Sequence, residues 1–308
     1  MFDMRLIPRF AQIISQQLNG WTAKLCALAC ACALSACSLA VSGYNNAPQL
    51  LMFLWIDPHF NLTKAQKEQT LADLRRIQQW HRQKQLPEYA NLLLQFQKAT
   101  PGQLSADQMC VWVDRVADLM EELVFQFEEP MARLALSLNA AQLQTLKLKY
   151  AEDLKDYRKE WKLDGSANMQ LNAQTEKGQS NAERLYGRLT PIQQKLLRQL
   201  AQNAGFDGER TFAERLRLQN EQVAVFEQIA LNKPSLEQAQ LLVRTWMQNS
   251  IHSPDASYAA YLKKRKQANC EAAASLHNAT SDEQRAKAVK VLKAYEEDVR
   301  TLMKQSPG

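Results

Sequence analysis

Leu138-Asn139-Ala140-Ala141-Gln142-Leu143-Gln144-Thr145-Leu146, running on through Tyr150, Leu154 and Tyr157 to Trp161, decides the fold. Asn139 and Gln142 have the spacing of a capping box. The first side chain accepts from the backbone N–H three residues on, and the glutamine reaches back to the N–H of the cap residue. Behind the cap, Leu143, Leu146, Tyr150, Leu154, Tyr157 and Trp161 advance by three or four, the period of one helical face. The same start recurs as Thr63-x-x-Gln66, Ser105-x-x-Gln108, Thr190-x-x-Gln193, Ser235-x-x-Gln238 and Ser281-x-x-Gln284. Leu62, Leu104, Leu138 and Leu189 stand before four of these caps, placed to staple the incoming chain. A second stripe runs through Met109, Trp112, Val116, Leu119, Leu123 and Phe127, and helical patterns also cover 71–80, 212–229, 241–247 and 286–303. No segment alternates convincingly at period two. The expected fold class is all-α, an irregular multi-helix bundle of helical hairpins. Caps spaced unevenly, from 34 to 51 residues apart, exclude a regular solenoid.

Proline and glycine punctuate this pattern. Pro87, Pro101, Pro130, Pro234 and Pro254 fall between apolar-periodic runs and read as breaks, whereas Pro191 sits in a first helical turn, where its missing N–H costs nothing. Gly205-Phe206-Asp207-Gly208 reads as a helix stop and turn. Leu163 to Asn181, rich in Asn, Gln, Ser and Gly, reads either as a linker or as a polar helix. The expected organisation is a leader over 1–36, an entry segment over 37–62, an N-terminal helical half over 63–162, the polar segment over 163–181 and a C-terminal helical half over 182–308.

Leu34-Ser35-Ala36-Cys37 supplies an address. Arg5, Arg9 and Lys24 precede a short apolar stretch from Leu25 to Leu34 and then small residues, the three zones of a secretory leader. That stretch is too short to span a bilayer, which takes about 20 apolar residues. The Leu-Ser-Ala-Cys order resembles the bacterial lipobox, which implies that Cys37 becomes a lipid-bearing N-terminus; two or more acyl chains anchor stably where one does not. Ser38 after the cysteine, by resemblance to Gram-negative lipoproteins, favours the outer membrane over the inner one. The expected location is its inner leaflet, facing the periplasm. Without the leader the formal charge falls from +6 to +4, a mild excess that does not suggest nucleic acid.

Of six cysteines only Cys110 and Cys270 remain beyond Cys37, either bridged or packed as small apolar residues. There is no G-x-S-x-G, no glycine-rich phosphate loop, no H-E-x-x-H and, past the leader, no C-x-x-C. His59, His81, His252 and His277 are too scattered for local metal spacing, so neither a metal nor a cofactor other than the lipid on Cys37 is expected. Asp57-Pro58-His59 reads as a turn. His81 and Glu88, on either side of Pro87, form a candidate polar site, with a structural histidine as the alternative. Arg184, Arg188 and Arg210 form a candidate anion site, with pairing to glutamates as the alternative. Lys263-Lys264-Arg265-Lys266 spreads around a helix and reads as a solvated face. Gln49 to Ile56, about twelve residues past the lipid, reads as a core-facing element or as an interfacial contact with Trp55 as anchor.

These residues resemble an uncharacterised family of Gram-negative helical lipoproteins in three places. Tyr44-Asn45-Asn46-Ala47-Pro48 leads to an apolar run, Asp57 and Leu62-Thr63-x-x-Gln66; then come Trp80-His81-Arg82 with Leu86-Pro87-x-Tyr89; then Arg184-Leu185-Tyr186-Gly187-Arg188-Leu189-Thr190-x-x-Gln193. The resemblance implies an architecture and an address, not an activity. The Leu-Thr-x-x-Gln element is also similar to that of the Spy-like periplasmic chaperones. The expected task is binding without catalysis, as an adaptor for envelope proteins or a chaperone-like factor. The alternatives are an envelope enzyme assembled from separate helices and a lipid or cell-wall adaptor using the arginines.

Overall fold

The structure, a computed structural model, describes residues 42–305, so the leader and Cys37 lie outside the described residues. The fold is all-α, and no strand occurs among the described residues. The helices are α1 (Ala47–Leu51), α2 (Asp57–Phe60), α3 (Lys64–Trp80), α4 (Leu86–Ala99), α5 (Ala106–Phe125), α6 (Glu128–Ser137), α7 (Ala140–Glu160), α8 (Ala167–Tyr186), α9 (Pro191–Asn203), α10 (Gly208–Asn232), α11 (Leu236–Ile251), α12 (Ala256–Asn278) and α13 (Asp282–Lys304). The polar stretch after Leu163 is thus mostly helical, capped by Ser166 and ended by Gly187 at φ +79°, a conformation that favours glycine. A Cβ on Gly208 would stand 2.4 Å from Leu163 Cδ2, so that side chain would have to shift to admit one.

Pro87 does not break the chain's helices as expected, and Asp57-Pro58-His59, read as a turn, is helical. Met52–Ile56 and His81–Gln85 are π-helical turns, and each continues into a helix whose second residue is proline, Pro58 or Pro87. The N–H of Leu86 reaches back five residues to His81, and the wider turn takes up the proline ring that an unbroken α-helix would reject. Pro130 likewise lies in the first turn of α6, not between elements.

Pairing is nested. The most extensive contact joins α4 to α13; α5 packs on α12, α6 on α11, α7 on α10, and α8 on α9, so the chain doubles back as one long hairpin of helices. Cross-contacts of α8 with α13, α9 with α12 and α7 with α2 bind neighbouring pairs together. The main apolar core gathers Met52, Phe60, Leu146, Phe226, Ile229, Val243 and Met247, all nearly or wholly inaccessible to solvent. Cys110 on α5 and Cys270 on α12 form a disulfide, with Cα atoms 5.4 Å apart, across one rung of this hairpin.

All six capping boxes are formed with both reciprocal bonds. Four of them go further. Gln142 Nε2 donates to Gln66 Oε1 at 2.7 Å and Gln66 Nε2 returns a bond to Gln142 Oε1 at 3.3 Å. Gln193 and Gln284 repeat this at 2.7 and 3.1 Å. Each amide also donates to the carbonyl two residues before the partner's cap: Gln66 to Ser137, Gln142 to Asn61, Gln193 to Ala279 and Gln284 to Arg188. The result is a glutamine clasp, used once between the starts of α3 and α7 and again between those of α9 and α13.

A clasp requires an amide, since a carboxylate has no donors. Gln142→Glu is therefore expected to cost about 1–3 kcal/mol at pH 7, the usual penalty for buried unmet groups. The same change at Gln108, whose box is not clasped, is expected to be near neutral because glutamate also serves in a capping box. Urea denaturation of both variants beside wild type checks the contrast.

Candidate functional site

The bundle holds a partly open cavity of about 520 Å³, within the range of about 300–1,000 Å³ common for small-molecule sites. Its walls are overwhelmingly apolar, with Leu92, Phe96, Trp112, Met120, Leu197 and Trp246 among them, and most of the helices contribute. Both α8 and α12 line the cavity, through Gly178, Ala182, Ala272 and Ala273, without packing closely on one another, and Ala273 is exposed.

Two glutamines interrupt the apolar lining. Gln219 and Gln222, 5% and 2% exposed, project from α10 on the stripe that carries Leu218, Phe226 and Ile229. Gln222 Oε1 accepts from the Tyr150 hydroxyl, while Gln222 Nε2 and both amide atoms of Gln219 make no hydrogen bond. Buried amides left unmet cost about 1–3 kcal/mol each. The cavity thus presents donors and an acceptor at one point of a mostly apolar wall, which elsewhere also carries Asn181, Asn269 and the buried Asp298.

Histidine and tyrosine form two pairs on other walls. The His277 ring lies between the Gly102 carbonyl, 2.8 Å from Nε2, and the Tyr186 hydroxyl, 2.8 Å from Nδ1. A carbonyl only accepts, so Nε2 holds the proton and Nδ1 accepts from Tyr186. His81 Nδ1 stands 2.9 Å from the Tyr44 hydroxyl. Burial, reinforced by the Arg82 charge, pushes His81 down to about 4, and burial lowers His277 also. Burial raises both tyrosines, so each pair is neutral at pH 7. These are structural histidines, each bonded to a tyrosine hydroxyl.

His81 and Glu88 take separate partners, and the candidate polar site is not assembled. His81 turns to the cavity, whereas Glu88 binds Arg115 at 2.9 Å on the surface. The Trp80-His81-Arg82 motif has another use: Arg82 donates to Asn45 Oδ1 at 2.8 Å and to the Gln305 carbonyl at 2.7 Å, clamping the two ends of the described chain together. The three candidate arginines are not gathered either. Arg184 bonds Ser180 within α8, Arg188 is exposed beyond it, and Arg210 bonds Ser257 and stacks on Tyr261, 4.9 Å from the ring centre. Asp57 accepts from Leu62 N–H and pairs with Lys67, while His59 binds the Trp55 carbonyl and Asp153, so that short segment holds no acid–imidazole pair. Gln49 to Ile56 divides its faces: Met52 and Ile56 are buried, Phe53 and Leu54 exposed. Among the described residues, no three His, Cys, Asp or Glu side chains gather as a metal would require.

These features define a class, the helical bundle with an internal apolar cavity. The chain belongs to a family of unknown function, DUF6279, whose model matches residues 58–255. That span runs from α2 through α11 and takes in five of the six boxes and the Trp80-His81-Arg82 motif. No curated protein and no solved structure matches the chain.

The low value of His81 has a measurable consequence. Between pH 6.5 and about 4 the unfolded ring holds a proton that the folded one does not, so stability present above pH 6.5 is lost as pH falls through that window. The expected loss is on the order of 1–3 kcal/mol. Urea denaturation across the window is expected to show it in wild type and to show a flatter curve for His81→Gln.

Proposed function

We propose that this protein is a non-enzymatic binding protein of the Gram-negative envelope, anchored by lipid on Cys37 to the outer membrane and facing the periplasm. Its ligand is an elongated apolar molecule with one uncharged polar group, an acyl-chain amphiphile. The cavity carries this reading. Its volume suits a small ligand, its walls suit hydrocarbon, and Gln219 with Gln222 offers hydrogen bonds to a carbonyl, ester or hydroxyl. An enzyme built on His81 and Glu88 requires a polar pocket, and the apolar lining speaks against it. A chaperone requires a broad exposed apolar face, whereas Val111, Leu148, Met169, Ile192, Leu231 and Leu241 stand on six different helices. Phe53 and Leu54, 57% and 56% exposed, lie sixteen and seventeen residues after Cys37 and fit a foot resting on the bilayer to which that cysteine is tied.

Two experiments test the reading. A fluorescent fatty-acyl probe is expected to bind the full chain in the micromolar range and to bind Ala273→Phe, which narrows the wall between α8 and α12, at least about tenfold more weakly. Absence of saturable binding to wild type rejects the ligand. Metabolic labelling with a palmitate analogue is expected to mark wild type and to leave Cys37→Ala unlabelled and released from the membrane fraction; a labelled variant rejects the anchor.

A further inference from the structure

Four arginines stack on aromatic rings where the end of α7, the start of α10 and the first half of α12 come together. Arg158 lies 5.0 Å from the centre of Phe212, Arg210 4.9 Å from Tyr261, Arg215 4.5 Å from Tyr157 and Arg265 4.6 Å from Phe206. Arg158 is neutralised by Asp164 and Glu209. Arg215 and Arg265 pair with no carboxylate among the described residues, although Arg265 is only 7% exposed. The acids nearby are engaged elsewhere: Asp153 with His59, Glu160 with Lys177 and Glu214 with Arg217. The Nε atoms of both arginines are buried and make no hydrogen bond.

A buried ion without a counter-charge is rare in folded proteins, and stacking on a ring offsets only part of its desolvation. The surrounding phenols do not supply the missing charge, because burial pushes Tyr157 and Tyr258 above their ordinary value and keeps them neutral. Burial lowers both guanidiniums yet leaves a group that remains protonated in proteins, so charge cannot be shed by titration. Arg265 is the one member of the Lys263-Lys264-Arg265-Lys266 run that is fully turned inward.

We propose that Arg215 and Arg265, with Arg210 at the rim, form a binding site for a phosphate group, separate from the apolar cavity. Guanidinium matches phosphate oxygens with paired donors, and the negative charge of a phosphate, about −1.5 to −2 for a monoester, meets two unneutralised arginines. The phosphate is either that of a lipid headgroup or that of a soluble molecule.

Titration of the full chain in neutral detergent with inorganic phosphate, at ionic strength held constant by sodium chloride, tests the site by calorimetry and melting temperature. Saturable binding is expected in wild type, weaker by at least about tenfold in Arg265→Gln and in Arg215→Gln. It is expected unchanged in Arg198→Gln, whose guanidinium bonds Asn168 and Asn172. Circular dichroism checks folding, and Arg215, the more exposed of the pair, carries the test if Arg265→Gln does not fold. Dihexanoyl phosphatidic acid below its micelle concentration separates the sources. Markedly tighter binding than inorganic phosphate supports a headgroup, and equal affinity supports a soluble phosphate. No binding beyond the chloride control, or equal affinity in wild type and both variants, overturns the proposal.

Discussion

Two helices that start side by side bring together two sets of unpaired N–H groups and two positive dipole ends, an arrangement that opposes itself unless something sits between them. The glutamine clasp is what sits there. Each amide oxygen accepts from its own cap residue and from the opposite glutamine, and each amide nitrogen donates to the opposite glutamine and to the loop carbonyl beyond it. Through these contacts a local capping signal becomes a long-range joint, tying Gln66 to Gln142 and Gln193 to Gln284. Four of the long helices thereby have fixed origins, and the directions of the walls around the cavity follow from them.

The walls in turn account for the chemistry of the interior. Aromatic and aliphatic side chains from both arms of the helical hairpin meet without filling the space, and the exceptions to their apolar character are few and specific. The tyrosine–histidine pairs are closed systems in which every ring nitrogen facing a partner has one. Gln219 and Gln222 are open, and it is the contrast with those closed pairs that singles them out. The arginine cluster differs again: its aromatic neighbours accommodate the flat guanidinium groups but do not neutralise them.

Much of the fold was legible because it is written in short-range terms. Capping boxes and stripes of period 3.6 depend on residues within a turn or two of one another; the six boxes form, and the stripes through Leu146 and Val116 lie on helices up to their last members, Trp161 and Phe127, which fall just past the helix ends. Pro87 reads as a break from sequence because its effect depends on the π turn before it, a rearrangement of backbone register that leaves no trace in residue type. The clasps were hidden in the same boxes that were recognised, since nothing in Thr63-x-x-Gln66 names its partner 76 residues away. The cavity was illegible for a deeper reason: unfilled volume is a property of how faces meet, not of any face. A polar signal did exist, in Gln222 between Leu218 and Phe226 on the buried stripe of α10. His81 and Glu88 are close in sequence, but the helix that carries both gives them different neighbours, and proximity along a helix did not amount to a site.

The nested order of helix pairs bears on how such a chain comes into being. With α8 against α9 at the bend and α4 against α13 at the open end, each pairing inward of the next shortens the span the next must close, so the hairpin can zip outward from its bend at modest entropic cost. A chain emerging from its N-terminus meets that order in reverse. The apolar faces of α4, α5 and α6 appear before those of their partners α13, α12 and α11, so they stay unpaired until those later helices have been made. During that interval the nascent protein, whatever it binds when finished, is itself a client in need of shelter.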